Sequence, residues 1–174
     1  ILNTGYLLQE VREEQSNQNA TVSDRIATSS PYIGLSFRGL TSGEMMNEIL
    51  KSLKMNHCKG TFYVTSQEMI QEENIIRKII REGHEIGLGG VTKRDMRQCS
   101  WQEQVQMIEK EQLTARRILG MPVNYYLPMS GKTTFRMQQA AKANSLELIG
   151  YNKAPVRNAL TTVSEVKKYF KKGL

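Results

Sequence analysis

Histidine, the side chain most often used for metal binding and for proton transfer near neutral pH, occurs only twice in this sequence, as His57 and His84. His84 is followed by Glu85, and this pair could in principle coordinate a cation or transfer a proton. A lone histidine beside a strand is more often a structural residue, and His57 precedes the second predicted strand in a surface or hinge position. The sequence therefore favours a structural role for His84.

The cysteines and the glycine-rich segment form no cofactor motif. Cys58 and Cys99 have neither metal-ligand spacing nor a C-x-x-C arrangement, and Cys58 is predicted to be a small core residue. The L-G-G run at residues 88–90 lacks the G-x-G-x-x-G spacing of a phosphate loop. Three methionines are predicted to be helical core residues rather than cofactor ligands: Met45, Met46 and Met55.

The composition predicts one soluble globular domain with a basic surface. The chain has 174 residues, 39% hydrophobic and 24% charged, and no run approaches the ~20 apolar residues of a membrane helix. A net charge of +7 favours acidic partners such as nucleic acid, anionic lipid or an anionic cell-wall polymer. The basic residues are scattered, except for a cluster at 167–172, and lack the aromatic interleaving of single-strand nucleic-acid binders. Nucleic acid is therefore not the expected partner, and the oligomeric state stays open.

The elements that would position a site follow from the apolar pattern. Residues 1–30 are predicted to form a polar arm or linker, and residues 31–174 one domain. Five runs are predicted as strands: 32–37, 61–64, 85–88, 125–127 and 146–151. Helical patterns separate them, and Gly83 is predicted to end the helix after the second strand. The predicted N-caps and capping boxes are Ser66, Ser100 with Glu103, and Thr162 with Glu165.

This alternation of strands and helices indicates an α/β fold with a largely parallel sheet covered by helices. A doubly wound sheet and a (β/α) barrel both satisfy the pattern. Periodicity alone does not choose between them.

Two strings resemble the polysaccharide deacetylases of the NodB type, carbohydrate esterase family four. Residues 59–65, K-G-T-F-Y-V-T, are similar to the family's K-A-T-F-F-V strand. Residues 79–87, I-I-R-E-G-H-E-I-G, are similar to its I-v-x-E-G-H-E-I-G approach to the active site. The resemblance implies a distorted (β/α) barrel with its site at the carboxyl ends of the strands. The position of the last residue would leave this barrel incomplete at its C-terminus.

The chemistry-bearing positions of that family are replaced in this chain. The family's T-F-D-D-G motif supplies a general-base Asp and a metal-binding Asp, where this chain has Arg38 and Gly39. Its N-H-T-x-S-H-P motif supplies two histidine ligands, where this chain has Gly89 and Lys93. The resemblance therefore implies that the family's divalent metal, such as zinc, is absent here. It also implies that no residue of this chain is catalytic.

The remaining motifs are also incomplete. Leu127 stands where the R-P-P-Y-G motif has its arginine, and Ala154 precedes Pro155 where the family has D-P. The L-L-H strand of the family would follow Gly173 and Leu174.

Each loss has a chemical consequence. A catalytic metal needs about three protein ligands, and glycine offers none. Arg38 and Lys93 would repel a divalent cation, and an arginine does not act as a base because it keeps its proton.

The resemblance and the replaced positions lead to an expected function. We expect a catalytically inactive polysaccharide deacetylase-like domain that binds carbohydrate or an anionic wall polymer at a bacterial cell envelope. Arg38 and Lys93, beside Gly39 and Gly89, would form an anion-binding pocket. The alternative is an active or partly active metal-dependent polysaccharide or peptidoglycan N-deacetylase with a rewired site. A basic module that binds nucleic acid is a third, weakly supported possibility.

Overall fold

The structure is a computed structural model that describes residues 22–23, 34–90, 96–128 and 132–150, and for residues 22–23 the backbone alone. The strands are β1 Val22–Ser23, β2 Leu35–Arg38, β3 Gly60–Val64, β4 Glu85–Gly89, β5 Tyr125–Leu127 and β6 Glu147–Ile149. The helices are α1 Gly43–Met55, α2 Ser66–Gln71, α3 Glu73–Arg81, α4 Trp101–Leu119 and α5 Phe135–Ala143, with a 3-10 turn at Met96–Gln98. Within these residues, no helix combines the length and apolar character that crossing a membrane requires.

The sheet is parallel throughout and has the strand order β1-β6-β5-β4-β3-β2. From β3 to β6, every strand lies beside the one that precedes it in the chain. A doubly wound sheet would reverse direction part way, whereas a (β/α) barrel advances in one direction. The described residues therefore form an open, curled half-barrel with β2 and β1 at its edges, as the predicted barrel fold requires.

The hydrophobic core lies between the sheet and its helices. Alternate strand residues face the helices, since successive side chains of a strand point to opposite faces. These residues are all buried: Phe62, Val64, Ile86, Leu88, Tyr126 and Leu148. The helices contribute buried apolar residues that include Leu50, Ile76, Ile79 and Ile108.

The inner face of the half-barrel carries polar and charged side chains instead. These are Ser36, Arg38, Thr61, Tyr63, Glu85 and Glu147. The strand register places Ser36 beside Thr61, and Thr61 beside Glu85. A polar row therefore crosses the inner face.

Most helix ends confirm the sequence signals. Ser100 and Glu103 form the expected capping box, and α3 ends two residues before Gly83, which has a left-handed φ of +78°. The prediction that Ser66 is an N-cap was wrong by one residue. Thr65 caps α2, because its backbone is extended and its hydroxyl accepts a hydrogen bond from Glu68 N.

Two of the methionines predicted as core residues are at the surface. Met46 is buried, but Met45 is 58% exposed and Met55 is 71% exposed. Each residue advances ~100° around a helix, so neither Met45 nor Met55 shares the face of α1 on which the buried Met46 lies. Both side chains therefore point away from the core. The Thr162 capping box lies outside the described residues. Val22–Ser23, within the segment predicted as an arm, forms β1 on β6, and the boundary at residue 30 stays a prediction.

Candidate ligand site at the carboxyl edge of the sheet

The structure brings three of the four predicted site residues to one edge of the sheet. Arg38 ends β2, Gly39 follows it, and Gly89 ends β4. Because β3 lies between β2 and β4 in a parallel sheet, Gly39 and Gly89 flank the carboxyl end of β3 from either side. Lys93 lies outside the described residues, so its place beside Arg38 stays a prediction.

Gly39 adopts a conformation that suits glycine and few other residues. Its φ is +71°, in the left-handed region, and its N–H donates to Tyr63 O at 2.8 Å. A Cβ atom at this position would lie 3.0 Å from Glu68 Oε1. The space that a side chain at position 39 would enter is therefore next to a carboxylate from α2.

The Glu68 carboxylate holds the two loops of this edge together. Its Oε1 accepts from Leu40 N at 3.0 Å, in the loop after β2. Its Oε2 accepts from Thr65 N at 2.8 Å and from Thr65 Oγ1 at 2.9 Å, which completes the capping box of α2. The T-x-x-E spacing of Thr65 and Glu68 is a capping-box signal that could have been noticed in the sequence, but its link to Leu40 spans 28 residues and could not.

Gly89 is held against the backbone of β3. A Cβ atom at Gly89 would lie 3.0 Å from Tyr63 O, 3.1 Å from Tyr63 C and 3.2 Å from Val64 N. Contacts of this length are tighter than side chains ordinarily make, and here the neighbours are backbone atoms rather than a flexible side chain. The Tyr63 carbonyl also accepts the hydrogen bond from Gly39, so both glycines meet the same peptide group.

These residues do not fit a divalent metal at positions 39 and 89. Neither glycine has a donor atom in its side chain, and the Glu68 carboxylate already accepts three hydrogen bonds. Across 34–90, 96–128 and 132–150, no group of three or more His, Cys, Asp or Glu side chains is arranged to hold a metal ion. Leu127, at the position of the family's arginine, is buried at the end of β5, and its carbonyl accepts from Gly90 N at 2.8 Å.

His84 lies at the opposite, amino edge of the sheet, directly before β4. Its Nδ1 accepts a hydrogen bond from Gly60 N at 3.3 Å, and its ring contacts Phe62 edge-on with centroids 5.7 Å apart. Burial, together with the positive charge of Lys59, lowers the pKa of His84 below its ordinary value. His84 thus pairs with the backbone as a neutral structural residue. His57 is exposed between α1 and β3.

The inner face is anionic toward this amino edge. Glu85 accepts from Thr61 Oγ1 at 3.1 Å. Burial and the charge of Glu85 raise the pKa of Tyr63, while Glu85, burial and Glu147 raise the pKa of Tyr125. The exposed guanidinium-bearing residue Arg38 lies at the other end, two residues beyond Ser36. The inner face therefore changes from acidic side chains to a basic one along the strand direction.

The chain belongs to the polysaccharide deacetylase family, whose family model matches residues 25–149. The half-barrel and its one-way strand order agree with this membership. No protein of curated function matches the sequence significantly.

Three solved structures illustrate the likeness of fold. A CE4 family pseudoenzyme from Bacillus anthracis superposes with a TM-score of 0.69 at 19% identity, over 76% of this chain and 47% of that protein. A family 4 carbohydrate esterase from Streptomyces lividans, in complex with acetate, superposes with a TM-score of 0.60 at 20% identity, over 67% of this chain and 60% of that protein. A peptidoglycan deacetylase, PdaC from Bacillus subtilis, superposes with a TM-score of 0.60 at 20% identity, over 71% of this chain and 59% of that protein. This chain thus spans about half to three fifths of the length of these relatives, and at such identities the likeness shows the fold alone.

Proposed function

We propose that this chain is a non-catalytic polysaccharide deacetylase-like domain that binds carbohydrate or an anionic wall polymer at a bacterial cell envelope. One observation carries the proposal: the residues at the family's two ligand positions are glycines, which have no side-chain donor atom for a metal. Gly39 adjoins the Glu68 carboxylate, and Gly89 adjoins the Tyr63–Val64 backbone. Without a ligand at these two positions, the site would lack the metal ion that acts as a Lewis acid and activates water in a metal-dependent hydrolase.

The ligand class follows from the relatives and from the residues at the edge. Structural relatives include a peptidoglycan deacetylase and a chitin deacetylase, both of which act on polymeric carbohydrate. In this chain Arg38 is exposed at the carboxyl edge, and Lys93 follows Gly89 by four residues. Arginine binds carboxylate or phosphate through a bidentate fork, and lysine binds it as a point charge. A carboxylate or phosphate of a wall glycan or teichoic polymer is the ligand group that we propose. The peptidoglycan-directed relatives also support the envelope location.

Calorimetric titration with anionic and neutral glycans tests the binding proposal. We expect an anionic wall polymer to bind, and its affinity to fall as salt concentration rises. Arg38→Ala and Lys93→Ala are each expected to weaken binding about tenfold or more, since each removes a charge-assisted contact. Arg81→Ala is the matched control, because Arg81 is exposed at the end of α3, away from the carboxyl edge. Equal losses in all three variants would assign the affinity to the general basic surface and contradict the proposed pocket.

Acetate release from acetylated chitooligosaccharides or peptidoglycan fragments tests the absence of catalysis. We expect no release above a metal-free control in the presence of zinc, cobalt or nickel. Release that is lost in Arg38→Ala or Lys93→Ala would refute the proposal and establish a rewired deacetylase.

Reversion of the lost ligands is a less direct test in this chain. A mutant of the Bacillus anthracis pseudoenzyme has restored enzymatic activity. Here, a side chain at position 89 would meet the β3 backbone, so we expect simple reversion at Gly39 and Gly89 to leave the chain inactive.

A further inference from the structure

The carboxylate beside Gly39 is the feature of this edge that neither the family motifs nor the proposed function explains. Glu68 belongs to α2, but its Oε1 extends to the loop after β2, where it accepts from Leu40 N at 3.0 Å. The same oxygen lies 3.0 Å from the point where a Cβ of residue 39 would stand. The carboxylate thus adjoins the volume from which an aspartate at position 39 would extend.

We infer that Glu68 is an internal block of this site: its carboxylate has replaced the one missing at position 39, and the two exclude each other. Glu68 satisfies the backbone of the loop after β2 through Leu40 N and fixes the start of α2 through Thr65. The effect of a substitution at Gly39 on folding stability therefore depends on Glu68. The inference rests on the proposed function only in taking position 39 as a lost metal-ligand position.

Two physical effects would oppose a side chain at position 39, and they can be separated. The first is the backbone, since a φ of +71° is unfavourable for most residues with a Cβ. The second is the contact with Glu68, which is steric for any side chain and also electrostatic for an acidic one, because like charges at short range repel.

Gly120 supplies a matched control for the backbone effect. It ends α4 with a φ of +72°, and a Cβ there would meet nothing within 4 Å. Alanine at Gly120 therefore measures the cost of the left-handed backbone alone. We expect Gly39→Ala to lower the equilibrium constant for folding by about tenfold more than Gly120→Ala does, because of the contact with Glu68.

The charge effect is measured by a double-mutant cycle in metal-free buffer, with urea unfolding as the readout. Gly39→Asp is expected to fold about tenfold less favourably than Gly39→Asn, which has nearly the same shape and tolerance of a left-handed backbone. Glu68→Gln removes the charge while a glutamine can still complete a capping box. In the Glu68→Gln background, the difference between aspartate and asparagine is expected to fall to about twofold or less.

Two results would overturn the inference: an equal cost of alanine at Gly39 and Gly120, or an aspartate–asparagine difference that Glu68→Gln leaves unchanged. Titration of the wild-type chain with zinc alone tests the proposed function separately. Tight zinc binding by the wild type would overturn the proposed function and leave the cycle intact, whereas an additive cycle would overturn the block and leave the proposed function intact.

Discussion

Replacing Gly89 by alanine measures how closely β4 is packed against the carboxyl end of β3. The added methyl group would lie 3.0 Å from Tyr63 O and 3.2 Å from Val64 N. These backbone atoms are constrained, since Val64 is fully buried and the Tyr63 carbonyl accepts the hydrogen bond from Gly39 N. The strand must therefore shift to admit the methyl group.

The expected cost follows from two opposing effects. Overpacking of a close-packed region costs about 1–3 kcal/mol. The reduced freedom of alanine in the unfolded chain offsets about 0.4–1 kcal/mol of this. We expect a net loss of about 1–2 kcal/mol in the free energy of unfolding, which lowers the melting temperature of a domain of this size by roughly 2–8 °C.

Thermal and urea unfolding followed by circular dichroism provide the assay. Gly43→Ala is the control, because a Cβ at Gly43, the first residue of α1, would lie 3.8 Å from Ile75 Cδ1, an ordinary contact distance. This control is expected to match or exceed the stability of the wild type. If Gly89→Ala were as stable as Gly43→Ala, the edge would have room for a side chain, and the steric part of the proposal would be wrong.

Three other outcomes are expected. Acidification from about pH 7 to about pH 5 should lower stability, because His84 has a lowered pKa and the unfolded chain gains a proton below about pH 6.5 that the folded chain does not bind. His84→Asn, which can accept from Gly60 N without titrating, should reduce this loss, and an equal loss in both proteins would contradict the assignment. Thr65→Ala should lower the free energy of unfolding by about 1 kcal/mol, and by more than Ser100→Ala does, since the Glu68 carboxylate that Thr65 contacts also anchors the loop after β2. Urea midpoints that rank in the reverse order would argue against this role. Elemental analysis after incubation with excess zinc, cobalt or nickel should find no stoichiometric metal, and tight stoichiometric binding would count against the loss of the site.

Much of the local structure could be predicted from the sequence because its causes are local. The capping box of Ser100 and Glu103 depends on two residues three apart, and the β-rich run at 61–64 lies within β3 as predicted. The helix predicted from Ser66 to Gly83 was only partly right. It is divided at Glu72 into α2 and α3, and its cap is Thr65.

The positions of Arg38, Gly39 and Gly89 at one edge could also be predicted, because the carboxyl ends of parallel strands meet on the same side of a sheet. The apolar pattern did not choose between a doubly wound sheet and a barrel, whereas the resemblance to the deacetylase family predicted the barrel, and the strand order confirms it. That choice depends on which strands become neighbours, and hydrophobic periodicity does not encode it.

The close contacts at the two glycines were decided by tertiary structure alone. Glu68 reaches Leu40 across 28 residues, and Gly89 meets the backbone of Tyr63 on the neighbouring strand. In the sequence, the two glycines indicate only that ligand side chains are missing. The folded chain adds that the first atom of a side chain at either position would have a close neighbour, because packing of β3 between β2 and β4 brings a carboxylate to one glycine and a peptide group to the other.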